Sequence, residues 1–157
     1  AQVAQHWKEA TDWLRRAAES GSPTAQSLYG SYLAQGRGVE KDEAAAVYWW
    51  TLAANEGSYL SQGRLATAYH LGRGVEPERV VALKWALLAA RPVKGVVWSA
   101  ETKPEVIRAH LSAEQIAQVE REVKEWIGEH ERRERARANA NALECGIKWT
   151  FSNQGFW

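Results

Sequence analysis

The sequence holds a single cysteine, no methionine, four prolines, two phenylalanines and almost no net charge. Each scarcity removes a class of protein. Cys145 alone closes no intramolecular disulfide and supplies no cysteine-based zinc site, so neither a stapled scaffold nor a zinc finger is available. Basic and acidic side chains nearly cancel at +1, which removes the electrostatic pull toward nucleic acid that a basic domain carries. No apolar run approaches the roughly 18–20 residues that a bilayer span needs, and the longest, around Leu87 to Ala90, sits inside an amphipathic segment. We therefore expect neither a nucleic-acid partner nor a membrane span. Position 1 is alanine rather than methionine, which we read as a fragment of a longer chain or a mature exported form, with a periplasmic or exported location ahead of a cytoplasmic one.

What is abundant is tryptophan, with nine in 157 residues, and it recurs with a period. At an offset of thirty-six, Trp13, Trp49 and Trp85 fall in register, as do Ala17-Ala18, Ala53-Ala54 and Ala89-Ala90, and Gly21 with Gly57. The loop Gly36-Arg37-Gly38-Val39-Glu40 returns as Gly72-Arg73-Gly74-Val75-Glu76, and Ala25-Gln26 returns as Ser61-Gln62. Apolar and small residues at three- and four-residue spacing on both sides of the glycine loop predict two helices per unit. A-type helices are expected at 23–35 and 59–71, closed by Gly36 and Gly72 because glycine adopts the left-handed cap at least cost. B-type helices are expected near 4–20, 41–56 and 77–91, with Pro77 at a first turn. Alanine pairs let neighbouring backbones approach closely, and the tryptophan four residues earlier fills the space beside them, so Trp13, Trp49 and Trp85 are expected in the core.

Alanine-glutamine, a small residue, an aromatic, Gly-x-Gly-Val, an acidic residue, a tryptophan and Ala-Ala-x-x-Gly, in that order over residues 4–91, resemble the Sel-one-like repeats. The resemblance implies an all-α fold, a right-handed α-α superhelix (a tetratricopeptide-like solenoid) over 1–91, and a non-catalytic adaptor that binds a protein or peptide. Leu33 stands where the family usually has tyrosine, and Arg91-Pro92 replaces the closing glycine of the last repeat.

Residues 92–142 read as a linker, a short helix from Pro104 to His110, and a long helix opened by a Ser112/Gln115 capping box, with Ile116, Val119, Val123, Trp126 and Ile127 on one face. This helix resembles the terminal helix of exported proteobacterial members and is expected to cap the solenoid. The mixed-sign run Glu129 to Arg137 reads as a solvated helical extension. In 143–157 the pattern turns to alternation, strand-like, with Ile147, Trp149, Phe151, Phe156 and Trp157 as residues that would dock on something. Three readings stay open: the tail folds back on the helices, it enters a groove of its own or a neighbouring copy, giving self-association, or it is a non-native extension beginning at the junction-like Leu143-Glu144.

Chemistry-bearing clusters are thin. His6, His70, His110 and His130 are scattered, the Gly-Arg-Gly loops follow no strand and lack the lysine-serine pair of a phosphate loop, and Cys145 has no histidine close in sequence. We expect no catalytic residues, cofactor or metal, although Asp12, Asp42, Glu43 and Glu56 leave a hydrolase as a remote alternative. Because A-type helices line the concave face of such solenoids, Ser27, Tyr29, Tyr32, Arg64, Thr67 and His70 are the candidates for a partner-binding groove, with Tyr29 and Tyr32 equally suited to the helix-pair core. The abundance of tryptophan motivates a second class, a cell-wall glycan fragment binder, which would need exposed indole faces.

Overall fold

The computed structural model describes residues 2–91 and 103–153, with side chains over 5–91 and 103–143. It is an α-solenoid of seven described helices: α1 (Gln2–Glu19), α2 (Pro23–Gln35), α3 (Glu43–Asn55), α4 (Tyr59–Leu71), α5 (Arg79–Ala89), α6 (Pro104–Arg108) and α7 (Ala113–Asn153). Chain-sequential helices pack on one another from α1 through α6. The structure separates into two compact units, Ala1–Val123 and Lys124–Trp157.

The A-type helices α2 and α4 have the bounds that the sequence predicts, because both ends are chemically marked. Ser22 and Ser58 accept hydrogen bonds from Ala25 N and Ser61 N, and Gly36 and Gly72 close the helices with left-handed φ of 67° and 69°. Of the B-type helices, α1 starts slightly earlier than expected, and α3 and α5 start two residues later. Asp42 caps α3 through its carboxylate, which accepts from Ala45 N at 2.8 Å. Pro77 does not open α5, which begins at Arg79. The proline ring lies instead over Gly72, where a Cβ would meet its Cδ at 3.3 Å.

Two contacts explain residues that recur with the period. Gln26 Nε2 donates to Ala18 O at 3.3 Å and Gln62 Nε2 donates to Ala54 O at 3.1 Å, so each buried glutamine pins its A-type helix to the carbonyl end of the preceding B-type helix. The second glycine of each loop presses on the B-type helix one before the A-type helix it follows: a Cβ on Gly38 would strike the Trp7 carbonyl of α1 and one on Gly74 the Glu43 carbonyl of α3. Only glycine tolerates both that approach and the positive φ of 66° and 72°.

The register tryptophans do not all enter the core. Trp85 is 8 % exposed, Trp49 is half-buried against Tyr29 at 5.4 Å between ring centroids, and Trp13 is 70 % exposed. Trp49 is covered by the A-type helix ahead of it, and α1 has no such helix ahead of it among the described residues. The fully packed indole of the middle repeat is Trp50, which sits on Gly30 and donates from Nε1 to Ser27 O at 3.3 Å.

The capping box forms as a reciprocal pair: Ser112 N donates to Gln115 Oε1 at 3.0 Å and Gln115 N to Ser112 Oγ at 3.2 Å. The first turns of α7 then bury Val119 and Val123, Ile107 of α6 is fully buried, and Lys84 of α5 pairs with Glu122 at 3.3 Å. Within the second unit Trp126 and His130 stack at 4.8 Å, and residues 131–143 are exposed. The strand-like tail is corrected: α7 stays helical as far as Asn153. An uninterrupted helix satisfies its backbone groups within one segment, whereas a lone strand needs a partner edge. The side chains of Ile147, Trp149 and Phe151, and all of Phe156 and Trp157, lie outside the described residues.

Candidate functional site

A furrow runs between the two A-type helices, divided by Arg64 into two hollows. One, of about 450 Å³, is bounded by Pro23, Thr24, Ser27 and Leu28 at the start of α2, by Tyr59 and Leu60 at the start of α4, and by Glu56 at the end of α3. The other, of about 270 Å³, is bounded by Ala34 and Gln35 at the end of α2, by Thr67 and Ala68 on α4, and by Trp50, Glu43 and Arg73. Starts face starts and ends face ends, so α2 and α4 run parallel, as one period of a solenoid requires.

Arg64 is held from two sides. Its Nη1 donates to Ser27 Oγ at 3.4 Å, and its guanidinium lies 5.7 Å from the Trp50 ring centroid. Desolvation by the surrounding helices lowers its pKa, yet the side chain stays charged at any working pH. It forms no ion pair with a carboxylate among the described residues. Glu43 is engaged elsewhere: its hydrogen bond to Lys41 at 2.8 Å, with the charges of Lys41 and Arg73, lowers its pKa.

Three of the six groove candidates meet here. Ser27 is buried and positions Arg64, Arg64 faces the hollows, and Thr67 lines one of them while donating to Gly63 O at 3.1 Å. Tyr29 fills the core against Trp49, where burial raises its pKa. Tyr32 packs edge-on to Trp7 of α1 at 5.8 Å. His70 lies apart, in a hollow of about 370 Å³ with Glu78, Arg79, His110 and Gln115, so two histidines that look scattered in the sequence share one recess. Among the described residues no three His, Cys, Asp or Glu side chains come together as a metal site. Two of the carboxylates weighed for hydrolysis serve local structure, Asp42 as a helix cap and Asp12 at 3.8 Å from Arg15.

The sequence reading missed Leu28, Tyr59 and Leu60, which are 43 %, 37 % and 54 % exposed on the furrow wall. At the thirty-six-residue offset Leu28 stands in register with Arg64 and Thr24 with Leu60, so these wall positions do not repeat.

The Sel1 repeat model matches residues 8–22, 23–58 and 60–91. The chain belongs to the Sel1 repeat family. The Sel1 repeat fold is shared with the crystal structure of a protective antigen from uropathogenic Escherichia coli strains described as displaying an SLR fold, at 33 % identity and a TM-score of 0.71 over 78 % of this chain and 26 % of that one. A Sel1 repeat protein from Oxalobacter formigenes aligns at 31 % identity and a TM-score of 0.52 over 54 % of this chain and 24 % of that one. The chain thus spans about a quarter of the length of each of these two. No curated protein matches it. Sel1 repeat proteins are generally non-catalytic scaffolds for protein interaction. No described helix is long and apolar enough to cross a membrane.

Proposed function

We propose that this chain is a non-catalytic interaction module that holds an extended segment of a partner protein in the furrow between α2 and α4. The observation that carries this reading is the wall of Leu28, Tyr59 and Leu60, exposed on either side of a hollow large enough for a bulky side chain. Large apolar groups gathered at a concave site, beside an arginine and a tyrosine, have the composition of an energetic centre in a protein interface. A random twelve-residue peptide library displayed on phage and panned on the whole chain tests it. Enriched peptides should lose binding to a Leu60→Glu chain and keep it with Tyr48→Ala, a change at a residue of α3 that is 59 % exposed. Enriched peptides indifferent to Leu60→Glu would place the ligand elsewhere.

The exposed indole of Trp13 favours a second reading, a glycan platform on α1. Arg16 lies 5.3 Å from that ring and leaves the other face for a sugar. Titration with N-acetylglucosamine oligomers separates the two readings. Fluorescence quenching that disappears with Trp13→Ala supports the platform, and an unchanged spectrum removes it.

A further inference from the structure

We infer that Arg64 is an anchor for a carboxylate of the bound segment, so that the module selects peptides carrying Asp or Glu two positions from a bulky apolar residue. This deepens the proposed function and rests on it. Arg64 is the half-buried cation that divides the furrow, and the groups that hold it, the Ser27 hydroxyl and the Trp50 ring, are neutral. A guanidinium kept partly out of water with no carboxylate beside it is most improved by a ligand that brings one, because a fork of parallel N–H groups matches a carboxylate in two hydrogen bonds. Gln35 and Arg73, on the same hollow, add further donors toward an anion. Glu43 on that hollow is held by Lys41, and Glu56 borders the apolar hollow, so the anion belongs on the Arg73 side of Arg64 and the apolar group on the Leu60 side.

The spacing follows from helix geometry. Leu60 and Arg64 are one turn apart on α4, about 6 Å along the axis at 1.5 Å per residue. An extended peptide covers that rise in about two residues at roughly 3.3 Å each, which also returns the side chain to the same face. The expected signature is therefore an acidic residue and an apolar residue at i and i+2.

Peptides enriched on the whole chain are synthesised with a fluorophore and titrated by anisotropy. Changing the acidic residue to its amide should weaken binding by about tenfold or more, in the range of a charge-assisted hydrogen bond. Arg64→Met, which keeps a stem over Trp50, should weaken the parent peptide by a similar factor and make the acid and amide peptides bind alike. Arg64→Lys should fall between, since a point charge cannot form the fork. The peptide-side change leaves the protein intact, so a misfolded variant cannot imitate the result. Enriched peptides with no acidic preference, or equal affinity for the parent and Arg64→Met chains, overturn the anchor while leaving peptide binding in the furrow standing. A library that enriches nothing overturns both.

Discussion

Replacing Gly30 with alanine should destabilise the repeat although alanine is the better helix former. Within a helix the exchange favours alanine by about 0.8–1.0 kcal/mol. Against this, the added Cβ would lie 2.7 Å from both Cδ1 and Nε1 of Trp50 and 3.1 Å from the Ala46 carbonyl. The indole cannot turn aside freely, because its Nε1 is committed to Ser27 O and Arg64 covers its ring. Forcing one carbon into such a core costs about 1–3 kcal/mol, and contacts this short place the cost in the upper part of that range, so the net loss should approach about 2 kcal/mol. One repeat later the same two positions are Ala66 and Ala86, both fully buried, so the chain already contains the alternative solution. Trp50→Ala alone should cost about 3–5 kcal/mol. On that background Gly30→Ala should turn neutral or stabilising, since the clash is gone and the propensity gain remains. Urea unfolding of the four proteins, followed by circular dichroism, measures the coupling. Equal effects of Gly30→Ala on both backgrounds, or a more stable single variant, would refute the packing argument.

The register tryptophans should separate on mutation: Trp85→Ala is expected to cost about 3–5 kcal/mol, whereas Trp13→Ala, at 70 % exposure, should stay within about 0.5 kcal/mol by the same unfolding assay. Removing the capping box with Ser112→Ala should lower stability by about 1 kcal/mol, and adding Gln115→Ala should cost less than it does alone, because the two hydrogen bonds are reciprocal. Hydrogen bonding from Gln118, with a further bond from Lys84, holds the pKa of Glu122 below its ordinary value of 4.5. Its stabilisation is therefore present above pH 4.5 and lost as pH falls through the depressed value. Glu122→Gln should be less stable than the parent near neutrality, by under about 1 kcal/mol for so exposed a pair, and equal to it near pH 2. A difference that persists at pH 2 would assign the effect to packing.

The periodic part of the fold was legible because each repeating residue does the same local job twice. Gln26 and Gln62 pin carbonyls, and Gly38 and Gly74 allow backbone contact, so a thirty-six-residue offset exposed them together. Trp13 was misread because register reports the position of a side chain in its own repeat and says nothing of whether a neighbour stands in front of it. The tail was misread because alternation of apolar and polar residues is a statement about two faces, and the backbone continues α7 to Asn153 instead. At the candidate site, Arg64 and Ser27 were among the groove candidates because polar residues on an A-type helix draw notice. Leu28 and Leu60 were passed over because apolar residues in a helical pattern are read as core by default, and only the packing of α2 beside α4 leaves them outside.

The stops that set the spacing between helices here are made of main chain. Where Gly38 rests on the Trp7 carbonyl and Gly74 on the Glu43 carbonyl, two stretches of backbone abut with no side chain between them. The furrow wall contributes nothing to those stops. Its lettering can therefore be rewritten, as it already is between Thr24 and Leu60 or Leu28 and Arg64, while the frame that holds it keeps the same dimensions. A scaffold of this kind separates the residues that define shape from those that line the furrow, so the preference proposed for the furrow can be engineered without renegotiating the fold.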